Sequence, residues 1–324
     1  MKKILKALLY LILFIAILAT AAISYIYFFL PKVGKVPDIT IKKTSERIER
    51  GRYLANHVTV CIDCHSTRDW SLFAGPIING TEGSGGETFD HRFGFPGSFY
   101  SRNITPYKLS SWSDGELFRL ITTGVNKDGK AMFPIMPYRY YGQLDKEDIY
   151  SIIAYIRTLP EIKKDIPSSK PDFPFNLIIN TIPKKANLHA KPLESDTINY
   201  GKYLVTASAC VECHTQVNNG QIIAGLEFCG GREFAMSSGI IRSANITPDK
   251  TGIGEWTSEQ FVKRFTMYQD TSYHPQKLKE NDFNSVMPWM MYSGMKTSDL
   301  LAIYTYLKTV KPIANRVIKF TPKS

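Results

Sequence analysis

The longest apolar stretch stands at the beginning of the chain. From Ile4 to Leu30 it is interrupted only by Lys6, Thr20 and Ser24. The part free of charge, Ala7 to Leu30, is long enough to cross a bilayer with some tilt. Tyr10, Tyr25 and Tyr27 lie near its ends, where amphipathic rings favour the membrane–water boundary. A cleaved signal peptide, with Ala19-Thr20-Ala21 as its small-residue site, is the competing reading. The run continues past Ala21 to Leu30, however, beyond where a signal core normally stops. The pattern therefore predicts an uncleaved transmembrane anchor over residues 1–30.

After this run the periodicity turns amphipathic and helical. Ile149, Ile152, Ile153 and Ile156 recur at the helical period, as do Leu300, Ile303, Tyr304 and Leu307. Ser113-Asp114-Gly115-Glu116 and Thr257-Ser258-Glu259-Gln260 read as capping boxes, which put Trp112 and Trp256 at the start of two further helices. Alternating strand patterns are scarce. The glycine-rich residues 80–97 follow no strand and open no helix, so they read as a loop and not a phosphate cradle.

The same pattern is written twice. Gly51-Arg52-Tyr53-Leu54 leads to Cys61-Ile62-Asp63-Cys64-His65, and Gly201-Lys202-Tyr203-Leu204 leads to Cys210-Val211-Glu212-Cys213-His214. Asn103-Ile104-Thr105-Pro106 recurs as Asn245-Ile246-Thr247-Pro248, and Met136-Pro137-Tyr138 as Met287-Pro288-Trp289. The order is constant and the spacings nearly so, which marks a duplicated domain. The expected organisation is an anchor (1–30), a first domain (44–162), a linker (163–195) and a second domain (196–318). Six prolines between Pro160 and Pro192 stiffen the linker, and Phe173, Phe175, Leu177 and Ile178 suggest that part of it packs on a domain.

Charge changes the picture less than its total suggests. The chain of 324 residues has 40 basic and 29 acidic residues, a net +11. Residues 1–43 carry +6, the linker +3 and the last few residues +2. Residues 44–162 come to −1 and 196–318 to +1. The two domains are near neutral, so a nucleic-acid partner is not expected; the basic segments suit a membrane surface better.

Four of the five cysteines sit in the two Cys-x-x-Cys-His motifs, the attachment signature of c-type haem. On a helical turn residues i and i+3 share a face, so Cys61 with Cys64, and Cys210 with Cys213, can reach the two vinyl groups of one porphyrin. His65 or His214 then follows as an iron ligand. A four-cysteine zinc site would place its pairs far closer in sequence, and a thioredoxin-like pair needs a βαβ setting. Two local disulfides leave both histidines unexplained.

A His-ligated haem takes a sixth ligand or stays open. Met136 lies about as far beyond His65 as Met287 does beyond His214, and each precedes a proline that keeps the loop rigid. Met132 rivals Met136, while Met290, Met291 and Met295 crowd the second loop; the repeat picks Met136 and Met287. Cys229, the odd thiol, reads as a buried inert residue, with a thiolate ligand or redox-sensing thiol as the alternative. His57, His91, His189 and His274 stay unassigned.

Over residues 44–318 these motifs resemble the diheme class I c-type cytochrome family, and the Asn-Ile-Thr-Pro, Trp and Met-Pro-aromatic pattern is similar to the cytochrome subunits of periplasmic alcohol and gluconate dehydrogenases. Those subunits carry three haem domains, and this chain has two. The resemblance implies an all-α fold, two tandem class I cytochrome c domains after the N-terminal transmembrane helix. It also implies two covalent haems c, first and last helices crossing at Gly51/Tyr155 and Gly201/Tyr306, and Trp112 and Trp256 either near haem propionates or in the core. The expected function is electron transfer, not enzymatic turnover, from the periplasmic side of a bacterial inner membrane. Expected partners are a dehydrogenase, a quinol-oxidising complex, an oxidase or a soluble cytochrome. The alternative is a diheme peroxidase or thiosulfate dehydrogenase with one open haem.

Overall fold

The protein is described from a computed structural model covering residues 1–269 and 272–323. Helix α1 (Lys2–Phe29) is the apolar run, with no buried residue. Two series of elements follow in parallel order. The first is α2 (Ser45–Tyr53), a π turn (Leu54–Val58), α3 (Cys61–Cys64), β1 (Thr88–Phe89), β2 (Gly97–Tyr100), α4 (Pro106–Leu109), α5 (Asp114–Thr123), α6 (Tyr138–Tyr141) and α7 (Lys146–Ile156). A connecting stretch holds β3 (Lys170–Pro171) and α8 (Phe175–Ile178). The second series is α9 (Thr197–Ala207), α10 (Cys210–Cys213), β4 (Val217–Asn218), β5 (Gln221–Ile222), β6 (Glu233–Met236), β7 (Gly239–Arg242), α11 (Ser258–Thr266), α12 (Trp289–Tyr292), α13 (Thr297–Leu307) and β8 (Phe320–Pro322).

Local chemistry explains where the helices begin. The Thr44 hydroxyl caps α2, Asp145 caps α7 and Asp196 caps α9. Both expected capping boxes form in full, Ser113 with Glu116 and Thr257 with Gln260. The periodic isoleucines put α7 and α13 into the core: Ile149, Ile152, Ile153, Leu300 and Ile303 are at most 4% exposed. Each such side chain contributes about 1.5–3 kcal/mol of burial free energy.

Within each repeat the first and last helices cross at a glycine. A Cβ on Gly51 would stand 1.8 Å from the Ser151 carbonyl oxygen and 2.9 Å from the Tyr155 Cβ. On Gly201 it would stand 2.0 Å from the Ala302 oxygen and 3.0 Å from the Tyr306 Cβ. Only glycine permits backbones this close, so the pairs named from the resemblance do mark the crossings.

The all-α expectation leaves out the three small sheets found among the described residues. Strand β1 pairs with β2, and β2 with β3; β4 pairs with β5; β6 pairs with β7, and β7 with β8. All are antiparallel. The strands are two to four residues long, too short to show an alternating pattern, and two of the three sheets are completed by chain returning from elsewhere. Residues 80–97, expected as a loop throughout, include β1, a 3₁₀ turn (His91–Phe93) and the start of β2. The chain leaving α7 returns as β3 to the first repeat, and the chain leaving α13 returns as β8 to the second.

Asparagine anchors both returning segments. Asn103 Nδ2 donates to the Ile162 and Lys164 carbonyls while its Oδ1 accepts from Thr105 N and Oγ1. Asn245 does the same for the Ile313 carbonyl and for Thr247. The Asn-Ile-Thr-Pro motif is thus a clamp on the tail of its own repeat.

One apolar cluster runs through both repeats, from Leu54 and Ile153 to Leu204 and Leu307. Buried polar contacts cross it reciprocally. Tyr53 donates to Asp299 Oδ2 at 2.5 Å and accepts from Lys296 N; Tyr203 donates to Asp148 Oδ2 at 2.7 Å and accepts from Asp145 N. Burial, and then the adjacent carboxylates, push both phenols well above their ordinary range, so each remains a donor. Each carboxylate has a second partner from its companion helix: Arg50 grips Asp148 with two hydrogen bonds, and the Tyr200 hydroxyl reaches Asp299.

Candidate haem-binding sites

Each Cys-x-x-Cys pair forms one helical turn, α3 or α10. The residue before each turn is left-handed: Val60 has φ 45° and Ala209 has φ 47°. That conformation costs an L-residue on the order of 1 kcal/mol, and its recurrence shows that the packing imposes it. It breaks the preceding helix and starts a new turn at a fixed angle, with both thiols i and i+3.

His65 and His214 end these turns in the same way. His65 Nδ1 lies 2.6 Å from the Arg102 carbonyl oxygen, and His214 Nδ1 lies 2.8 Å from that of Ala244. A carbonyl only accepts, so Nδ1 carries the hydrogen in both rings and Nε2 keeps its lone pair. Burial lowers both imidazole pKa values, which favours the neutral form that binds metal. A carbonyl partner on the remote nitrogen is the usual support of a metal-bound histidine.

All five cysteines are free. Burial pushes the Cys64 and Cys210 thiols up to about 12 and also raises Cys61, while Cys213 is exposed. Among the described residues no three His, Cys, Asp or Glu side chains gather into one cluster, so the four cysteines do not form a joint zinc site. Two neutral thiols and one oriented imidazole, present twice, fit a covalent haem at each motif.

The acidic residue between the cysteines is ion-paired in each repeat, by different arginines. Asp63 meets Arg68 at 2.9 Å, with both side chains at most 10% exposed; Arg68 also stacks over Trp70 at 4.1 Å. Burial pushes the Asp63 carboxyl up to about 6, although Arg68 pulls it down. Glu212 meets Arg232 at 3.5 Å, and that arginine also donates to the Glu212 carbonyl. Beside the first motif Lys164 donates to Thr67 Oγ1 and the Gly85 carbonyl. The corresponding place in the second repeat holds the neutral amides of Gln216 and Asn315, within 3.3 Å of where a Cβ on Gly231 would stand.

Met136 and Met287 occupy matching turns. Tyr138 N donates to the Met136 carbonyl and Trp289 N to that of Met287, both at 2.8 Å. Both side chains are partly buried against the shared core. Of their rivals, Met291 and Met295 are 9% and 4% exposed, within the core itself, while Met132 and Met290 are half-buried as Met136 and Met287 are. Trp112 packs partly buried on the core, whereas Trp256 is 36% exposed. Cys229 is buried, its thiol against the Gly230 carbonyl and its own carbonyl held by Asn315.

His91 pairs with Asp172 at the surface, His189 with Asn187, and His274 is exposed. His57 is the histidine that residue type alone does not place. It sits in the π turn against the second repeat, and its Nδ1 lies 2.7 Å from the Met291 carbonyl oxygen. The signal for it is the spacing from glycine to cysteine, one residue longer in the first repeat than in the second.

No family model matches the chain. It is 30% identical over 282 residues to the fructose dehydrogenase cytochrome subunit of Gluconobacter japonicus, covering 81% of this chain and 52% of that protein. With the gluconate 2-dehydrogenase cytochrome c subunit of Pantoea cypripedii the identity is 26% over 287 residues, 81% of this chain and 59% of that one. A diheme cytochrome c-type protein of Cereibacter sphaeroides is 27% identical over 273 residues, covering 78% of this chain and 82% of that protein. The chain is a relative of c-type cytochromes. It spans between 52% and 59% of the length of these dehydrogenase subunits, so this cytochrome relative matches about half of each.

Proposed function

We propose that this chain is a membrane-anchored diheme electron carrier. The observation that carries the reading is the paired histidine geometry: each motif's imidazole is fixed through Nδ1 by a carbonyl of its own repeat, Arg102 or Ala244, and offers Nε2. Cys61 and Cys64 would hold one haem and Cys210 and Cys213 the other, through thioether bonds. Met136 and Met287, each on a proline-stiffened turn on the core, would offer a thioether to the iron of their own repeat. A haem held by these residues would supply reversible one-electron chemistry. The polypeptide keeps two neutral imidazoles oriented, excludes water with the shared core and fixes the separation of the two sites.

Helix α1 is apolar and long enough to cross a membrane, and we read it as an inner-membrane anchor with residues 31–324 on the periplasmic side, where c-type haem is attached. Residues 44–162 and 196–318 are taken as the two haem domains. The relatives named for fructose, alcohol and gluconate dehydrogenases make a dehydrogenase the preferred electron donor, with a membrane oxidase, quinol-oxidising complex or soluble cytochrome as further partners.

The test combines haem counting with ligand removal. An alkaline-pyridine spectrum should give two c-type haems per chain, resistant to acid–acetone extraction. The reduced protein should bind little carbon monoxide, and Met287→Ala and Met136→Ala should each open one haem to it. One haem per chain refutes the duplication of the site. Carbon monoxide binding by the unaltered protein, or turnover of peroxide or thiosulfate at about 1 per second or faster, refutes the carrier in favour of an enzyme.

A further inference from the structure

The step from the shared glycine to the first cysteine is one residue longer in the first repeat, Gly51 to Cys61, than in the second, Gly201 to Cys210. The extra residue is absorbed as the π turn Leu54–Val58, whereas α9 stays regular to Ala207. A π turn is the usual way for a helix to absorb a one-residue insertion, and it re-aims the side chains around it. His57 lies in this turn, and the chain after it still reaches the left-handed Val60 and the Cys61 turn.

The ring of His57 crosses to the other repeat. Its Nδ1–H donates to the Met291 carbonyl at 2.7 Å, and a Cβ on Gly294 would stand 2.2 Å from its Cε1. Met291 belongs to α12, the four-residue helix that opens directly after Met287-Pro288. So short a helix has few internal hydrogen bonds, and an outside donor does much to fix its backbone. The first repeat is braced by other means: Tyr140, the counterpart of Met291, donates through its hydroxyl to Glu212 of the second repeat at 2.7 Å.

We infer that His57 is a positioning residue that holds the Met287 turn from across the repeat boundary, by its hydrogen bond to Met291 and its packing on Gly294. The inference rests on Met287 being the sixth ligand of the second haem. Because the brace belongs to the first repeat, ligation at the second haem depends on the two repeats staying docked.

The full-length, haem-loaded protein in detergent tests this with four variants: His57→Ala, His57→Asn, Gly294→Ala and Met287→Ala. The readouts are the weak sulfur-to-iron band of the oxidised protein at the red end of the spectrum and carbon monoxide uptake after reduction. Loss of one hydrogen bond in His57→Ala should raise the fraction of haem open to carbon monoxide about two- to tenfold, with a matching loss of the band. Gly294→Ala, which displaces the ring without removing it, should act in the same direction. His57→Asn places an amide donor near the position of Nδ1 and should restore most of the band. Unchanged spectra in both His57→Ala and Gly294→Ala, or no rescue by asparagine, overturn the inference. If Met287→Ala itself leaves band and uptake unchanged, the ligand assignment falls, and the brace falls with it.

Discussion

Between Gly51 and Cys61 the first repeat makes a π turn; between Gly201 and Cys210 the second is one residue shorter and stays a regular helix. Both then place a left-handed residue, with φ 45° at Val60 and 47° at Ala209. Both end the Cys-x-x-Cys turn on a histidine fixed by a carbonyl, at 2.6 Å in one repeat and 2.8 Å in the other. The supports vary more. Arg68 comes from just after the first motif and Arg232 from just before β6, yet each neutralises the acid between the cysteines. Lys164 in one repeat is answered by Asn315 in the other. The geometry of the Cys-x-x-Cys-His turn is kept, while different residues in the two repeats supply what holds it there.

The largest expected effect tests the part the repeats share. Gly51→Ala and Gly201→Ala each force a Cβ to within 2.0 Å of a backbone oxygen on the facing helix, and neither helix can yield without separating. Each should destabilise the protein by about 3 kcal/mol or more in denaturant titration. A loss under about 1 kcal/mol in one repeat alone would mean that its helix crossing is not a shared constraint.

The next effect should be unequal. Asp148→Ala leaves the Arg50 guanidinium, 21% exposed, without its ion pair and removes the Tyr203 hydrogen bond, a loss of about 2–3 kcal/mol. Asp299→Ala strands two neutral phenols, Tyr53 and Tyr200, and should cost about half as much. Equal losses would make the tyrosine contacts across the boundary, and not the Arg50 charge, the main contribution.

The smallest effect concerns the left-handed residue. Ala209→Gly removes a strained Cβ at the loss of a single buried methyl, and should stabilise by up to about 1 kcal/mol. Val60→Gly relieves similar strain but deletes an isopropyl group that rests on the core, so it should be neutral or destabilising. Thermal midpoints of the two variants compared with the parent decide this. A gain at Val60 as large as at Ala209 would show that the valine is not packed.

What the chain determined by itself was local. The Cys-x-x-Cys-His turns, the two capping boxes, the helical period of α7 and α13 and the apolar run of α1 were legible because each depends on residues within a few turns of one another, and the duplication because both copies carry such local patterns in the same order. The glycine crossings were expected only through the family resemblance, and the structure supplies their reason, since only a residue without a Cβ permits such contact. Tertiary structure alone decided the pairings over long separations: His65 with the Arg102 carbonyl, Arg50 with Asp148, Tyr53 with Asp299 and His57 with Met291. It also decided the small sheets, whose strands are too short to leave a pattern and of which two form where a returning tail meets a hairpin. The reason is physical. A hydrogen bond between Arg50 and Asp148, or between Tyr53 and Asp299, exists only once two helices have crossed at a given angle, and the packing of the whole shared core sets that angle.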